Sequence, residues 1–507
     1  MSEREAFAKT RAMDLFRDFE RTSIGTTSWG SPAATRLLSW MLVLLSLVPL
    51  CVVLPVSSTR TSVVIIAGWT IVIWIAISFA RGKFHYITAI WVACFPYCYY
   101  FASFPRVRPI FTVDRAFILL LVIDMLLFSR RAFAGARLVR HVRISAYLWA
   151  LYLAVCFISL AAHAPPHVLD FYRLVVEGML MPALLGLYAM SLFPIARDLK
   201  TTHTCVCILM LGIAAVAGGE LVAGRNLLPS NGAGESWVQA NDFKIIRVDG
   251  PFENSGVLCL VGTLGFFFII YLRRLIGSSL PRSHRWLHSI GVWASMAAAL
   301  MPMNRSLVIA LLVCAVIDYF AENPLISRRT WNYIFGVLLI FTLISKLFYP
   351  SVYEDRVSGP ENVYQRVAQD LQTFKVVLDH PLTGVGFNLY RDTIAGDAKY
   401  SVQFRGIDAM NVPHNSLLSV LAEEGIVGFL LYVGAQLYFV RAMWKLRTIN
   451  PLGWRVFLYC VLVYTIYGLD VGMAYYSDLN LFYMFVLGVL MQIQLHMLPQ
   501  GLRANDF

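Results

Sequence analysis

The chain has 507 residues, of which 58% are hydrophobic and 14% charged. Soluble domains carry about 25% charged residues, so a water-facing surface of this size is excluded, and with it a soluble enzyme, a disordered chain and a disulfide scaffold. The net charge of +12 comes from basic residues grouped beside apolar blocks, and no basic patch interleaved with aromatics lies elsewhere, which argues against a nucleic-acid partner.

The apolar blocks are about 18–25 residues long, the length that crosses a bilayer as a helix. They predict an all-α integral membrane protein, a polytopic bundle of about fourteen transmembrane helices with the bilayer as its solvent. Residues 1–35 are polar and charged without an apolar signal region, and read as a cytoplasmic tail. The N-terminal transmembrane region, 36–222, holds predicted spans near 36–57, 61–80, 84–104, 111–128, 144–162, 170–193 and 202–222. Region 223–440 holds spans near 253–272, 287–303, 306–321, 331–349 and 415–440, with long loops at 223–252 and 350–414. Region 441–507 adds spans near 454–470 and 479–497 and a short tail. All nine cysteines fall inside apolar blocks and read as small hydrophobes.

Basic residues fix the orientation. Arg130, Arg131, Arg137, Arg140 and Arg143 follow one span, Arg273, Arg274, Arg282 and Arg285 another, and Arg441, Lys445 and Arg447 a third. Strict alternation puts all of them, and the N-terminal tail, on one face, which the positive-inside rule makes cytoplasmic. Both termini are expected there, with the two long loops on the opposite side. In the second loop Val363, Val367, Leu371, Phe374 and Leu378 recur at helical spacing, predicting an amphipathic helix over 361–379 that lies at the membrane interface or caps a cavity. His380-Pro381-Leu382-Thr383-Gly384 ends it.

Several chemistries are missing from the sequence: no GxxxxGK[ST] or GxGxxG phosphate loop, no DxD pair and no HExxH. Neither a cofactor nor a metal is therefore expected. His284 and His288, spaced i, i+4 among arginines, read as solvated loop side chains. On the extracytoplasmic side Arg247 precedes one span, Arg305 sits in a tight turn between two others, Arg366 lies on the amphipathic helix, and His414 ends the long loop. Asn415 or Ser416 is expected to cap the next helix. Guanidinium forks match phosphate geometry, so these arginines suit a diphosphate. The alternative is ordinary solvated charge, since loop 350–414 carries six basic residues against eight acidic ones. Arg173 and Glu177, i and i+4, read as a neutralising pair.

Arg305-Ser306-Leu307-Val308, His380-Pro381-Leu382-Thr383-Gly384-Val385-Gly386-Phe387 and His414-Asn415-Ser416-Leu417-Leu418 running into Ala422-Glu423-Glu424-Gly425-Ile426-Val427-Gly428 resemble the O-antigen ligase and polymerase family of bacterial envelopes. Arg247 with Gly250-Pro251-Phe252-Glu253-Asn254 is similar to the family's preceding loop motif, and the resemblance covers about 245–440. It implies a bacterial inner-membrane glycosyltransferase with a periplasmic active site and no metal or nucleotide sugar. The donor it implies is a glycan on undecaprenyl diphosphate; the acceptor is a glycan (polymerase), the lipid A core (ligase) or a protein hydroxyl (oligosaccharyltransferase). A flippase and a chain-length regulator would be natural partners. By the resemblance His414 is the general base, Arg247 and Arg366 bind the diphosphate, Arg305 matches the family's arginine after the short turn, and Asp470 is a weaker candidate for orienting the histidine or acceptor. A transporter of the same lipid-linked sugars is the rival; no internal repeat of the kind transporters show is present.

Overall fold

The computed structural model describes residues 88, 91–97, 103–104, 111–135, 140–163, 168–191, 195–228, 237–240, 243–246, 248–252, 254–277, 282–302, 304–348, 361–409, 414–469, 472 and 476–497. The expected tail 1–35, the spans near 36–57 and 61–80, most of 84–104, Arg247 and Asp470 lie outside the described residues.

The described chain is mostly helical, as its composition requires. After the short hairpin β1 (Ser103–Phe104) and β2 (Phe111–Thr112) come α1 (Val113–Gly135) and α2 (Arg140–His163). Next, α3 (Val168–Val175) passes through a π-helical turn at Val176–Leu180 into α4 (Met181–Ser191), followed by α5 (Ile195–Ala223). The hairpin β3 (Trp237–Ala240) and β4 (Phe243–Ile246) leads to α6 (Ser255–Ile276), α7 (Arg282–Leu300), α8 (Arg305–Phe320) and α9 (Arg328–Phe348). The second long loop contains α10 (Glu361–Asp379), α11 (Tyr390–Gly396) and the hairpin β5 (Gln403–Phe404) and β6 (Ile407–Asp408). It leads to α12 (Ser416–Lys445), α13 (Pro451–Gly468) and α14 (Ser477–His496). Six described helices are long and apolar enough to cross a membrane: Arg140–His163, Tyr172–Met190, Leu199–Ala223, Ser255–Ile276, Ser416–Lys445 and Ser477–His496.

The centre of the bundle is α6, buried along nearly its whole length against α5, α7, α13 and α14. Close approach to α7 needs Gly262, where a Cβ would meet Ala299 N at 2.7 Å. Without a hydrophobic drive between helices in lipid, such small-residue contacts are what allow tight packing. The core also holds a carboxyl group. Asp318, buried near the end of α8, accepts hydrogen bonds from Leu325 N (2.7 Å), Ile326 N (2.9 Å), Trp331 Nε1 (2.9 Å) and Tyr459 OH (2.9 Å). It thereby fastens α8 to the start of α9 and to α13. Asp318→Ala is expected to lower the thermal midpoint sharply, since each buried donor stranded costs about 1–3 kcal/mol. Thermal unfolding in detergent, against wild type, checks this.

Two expectations about the long loop are refined. The amphipathic helix forms over Glu361–Asp379 and stops before His380, but most of its apolar stripe faces outward, for Ala368, Gln369, Gln372, Thr373, Val376 and Val377 form the buried side. The predicted span 415–440 is not one straight rod. Gly425, at φ 65°, breaks α12 into a short helix over 416–424 and a longer one over 426–445. His284 and His288 are also corrected: they lie on α7, with His288 Nδ1 3.3 Å from His203 Nε2 of α5, because the helix starts well before the apolar block.

Candidate active site

Helix starts and ends gather at one end of the bundle, where Ser416 of α12, Tyr464 and Asn480 line a common cleft. Asn254 caps α6 and its Nδ2 donates to Tyr476 OH, just before α14, at 2.8 Å. Asn480 of α14 accepts Tyr464 OH, near the end of α13, at 2.8 Å. The starts of α6, α12 and α14 thus meet the end of α13. Arg273, Arg274, Arg441 and Lys445 occupy the far ends of α6 and α12. Histidine and basic clusters therefore sit at opposite ends of the bundle.

His414 lies immediately before the N-cap of α12. Asn415 is that cap, its Oδ1 accepting Leu417 N at 3.1 Å and Leu418 N at 3.2 Å, which fixes the backbone on which the imidazole stands. The ring is half-buried, and its pKa is lowered to about 4, first by burial and then by the Arg366 guanidinium. Arg366, on α10, is steered by Gln369, whose Oε1 accepts its Nη1 at 3.3 Å. Loop histidine and loop arginine, 48 positions apart in sequence, are brought together. Arg305 opens α8 behind the cap Asn304, whose Oδ1 accepts Leu307 N at 3.4 Å.

What holds the two together is the backbone of the His380–Phe387 segment. Val385 N and Gly386 N donate to Ala422 O (2.9 Å) and Glu423 O (2.8 Å), and Ile426 N donates to Pro381 O (2.9 Å). The loop that ends α10 is therefore laced to the corner in α12, so Arg366 and His414 share one rigid support. Gly384 and Gly425, both with positive φ, face each other's backbones across this joint.

Below His414 a cleft runs between Ser416, Ser419 and Val420 on one side and Gly178, Met179 and Asn480 on the other, with Trp149, Tyr432, Tyr464 and Tyr483 among its walls. The π-helical turn shapes it, since the carbonyl of Gly178 is satisfied by Asn480 Nδ2 at 2.9 Å. Beside this turn Glu177 binds two arginines: Arg173 Nε at 2.8 Å and Arg115 Nη2 at 2.6 Å. The Arg173–Glu177 pair was legible as i, i+4; Arg115, 62 positions away, was not. Glu220, also missed, accepts Gly250 N at 2.8 Å and Asp249 N at 3.2 Å, holding the turn of the Gly250-Pro251-Phe252 motif. Its only sequence signal is a carboxylate at the end of an apolar block.

A bundle with spanning helices, a half-buried histidine near an arginine and a largely apolar cleft at one end defines an integral membrane protein with a candidate site. Residues 252–433 match the family model described as O-antigen ligase. No curated protein matches the chain. Arg305, Arg366 and His414 fall inside the matched segment, whereas Trp149, Gly178, Tyr464 and Asn480 lie outside it and still line the cleft.

The lowered pKa has a signed consequence. A histidine with a depressed pKa stays neutral, and able to accept a proton, until the pH falls through about 4. If His414 is the essential base, the acid limb of kcat/KM, which reports the free enzyme, is expected well below the ordinary histidine range. Arg366→Gln should move that limb upward and Arg366→Lys, which keeps the charge, should not. A pH–rate profile of the three proteins checks this.

Proposed function

We propose that this protein is a bacterial inner-membrane glycosyltransferase that moves a glycan from undecaprenyl diphosphate to an acceptor hydroxyl on the periplasmic face, as a polysaccharide polymerase or O-antigen ligase. The observation that carries the reading is the pairing of His414 with Arg366 inside the segment matched to the O-antigen ligase family. The separation of this site from the basic ends of the helices supports a periplasmic position.

The chemistry follows from the two side chains. The acceptor oxygen attacks the anomeric carbon while neutral His414 takes its proton. The bond from that carbon to the diphosphate oxygen breaks on the opposite face, so the anomer inverts. The lipid diphosphate leaves with its charge met by Arg366 and Arg247, a stabilisation strongest when negative charge develops. Neither a metal nor a nucleotide is used. Arg305 and, more weakly, Asp470 complete the proposed set of site residues. Donor binding also tunes the base: an anionic diphosphate against Arg366 offsets the guanidinium's effect on His414 and makes the imidazole more basic once substrate is in place.

The arginine role has its own test. Lysine keeps a charge but loses the bidentate fork, so Arg366→Lys is expected to cut transfer at least about tenfold, as one lost charge-assisted bond of about 1.5–3 kcal/mol implies. Arg391→Lys, on the exposed side of α11, should be close to silent. Equal tolerance at both positions would mean that Arg366 is ordinary surface charge.

A further inference from the structure

Helix α10 is apolar on two sides: Ala368, Val376 and Val377 are buried together with its amides, and a second apolar stripe faces outward. Its buried side carries Gln369, Gln372 and Thr373, with Gln372 Nε2 donating to Tyr400 O at 3.0 Å and Thr373 Oγ1 2.9 Å from Tyr390 OH. Its outer side carries Val363, Leu371, Phe374 and Leu378, which with Leu382 just beyond are between 45% and 66% exposed. At about 100° per residue the four helical positions fall within about 80° of arc. A water-facing helix has no reason to bury amides and show phenylalanine and leucine. Burying such a stripe is worth about 25 cal/mol per Å², so it needs an apolar neighbour.

The neighbour is identified by continuity. Leu382 lies at the α12 corner, where Ile426 N donates to Pro381 O at 2.9 Å. From that corner the longer segment of α12 carries exposed Ile426, Val427, Leu430 and Leu437. The stripe of α10 therefore leads, through Leu382, to the start of the apolar outer face of a membrane-spanning helix at Ile426. We infer that α10 is an interfacial helix, its stripe sunk into the acyl–headgroup boundary of the same leaflet that holds the lipid-linked donor. Basic Lys375, exposed on the flank, suits an anionic headgroup layer. Resting on the transferase reading, one consequence follows: the bilayer surface itself sets the height of Arg366, on the opposite flank of α10, at the level of a lipid diphosphate.

The test uses the full-length protein in phosphatidylethanolamine–phosphatidylglycerol vesicles, with a nitroxide on Phe374→Cys, Leu430→Cys or Asp392→Cys and the unsubstituted protein as labelling background. Collision with dissolved oxygen should dominate at position 374 as at the spanning position 430, and collision with an aqueous nickel chelate should dominate at 392. A water-like response at 374 would overturn the inference, as would shielding from both reagents, the signature of a covering protein surface or second copy. In activity, Leu371→Glu with Phe374→Glu should lower transfer about tenfold or more, and Leu371→Ile with Phe374→Leu should keep it. The two readings fail separately, because the collision data need no activity: an inactive wild-type protein with a lipid-facing 374 sinks only the transferase.

Discussion

His414→Ala is expected to leave the protein folded and inserted and to lower glycan transfer by about 10²–10⁴, the usual contribution of a general base. The site explains why folding should survive. The helix start is held by Asn415, not by the histidine, through its bonds to Leu417 N and Leu418 N. The imidazole is half-buried beside a guanidinium, where its positive form is disfavoured. It is not needed for capping, and its surroundings keep it neutral with its lone pair free at ordinary pH; an anionic diphosphate against Arg366 would restore the basicity that proton transfer needs. Asn415→Ala should show the reverse pattern, a stability loss of about 1 kcal/mol with activity per folded molecule much less affected. Transfer rate normalised to folded protein, measured beside thermal unfolding, separates the two. A His414→Ala protein with near wild-type specific activity would remove the residue from the mechanism.

Gly384→Ala and Gly425→Ala are expected to give little folded protein. At Gly384, φ is +67° and a Cβ would lie 2.3 Å from the Glu423 carbonyl carbon; at Gly425, φ is +65° and a Cβ would lie 2.3 Å from Leu382 O. Strain in this region alone costs about 1–3 kcal/mol. Here the obstruction is backbone, so neither side of the joint can give way without breaking the bonds that tie the α10 loop to the α12 corner. Gly406 is the control. Its φ is +82° but nothing lies within 4 Å of its Cβ position, so Gly406→Ala should carry the conformational cost without the collision. Expression level and thermal midpoint should rank Gly406→Ala well above the other two; equal ranking would mean that the joint is not rigid.

The sequence was most informative where one physical rule acts alone. Apolar length is a local property, and it located the six membrane-length helices among the described residues, out of about fourteen expected. The end of α10 before His380 was legible because proline and glycine act on their own backbone. The direction of α10 was not. An apolar stripe at helical spacing is the same string whether it faces a protein core or lipid, and only its partners Tyr390 and Tyr400 show that the amides are the buried side. The corner at Gly425 was hidden because Ser416 to Lys445 has the composition of one continuous span, and the break depends on a strand-like pairing with residues some 40 positions earlier. His414 and Arg366 stood out by type and motif. Arg115, Glu220, Tyr464 and Asn480 did not, since each reaches its place through contacts distant in sequence.

The central claim is bond-breaking transfer on the His414 side of the membrane, and one reconstitution tests it most directly. Purified protein in vesicles is given an undecaprenyl-diphosphate glycan and a hydroxyl-bearing saccharide acceptor, with a chelator and without nucleotides. Acceptor–glycan product and free lipid diphosphate are expected in equal amounts with wild-type protein and not with His414→Ala. Movement of the intact lipid-linked glycan between leaflets, with no glycosidic bond exchanged, would contradict it and identify a transporter instead.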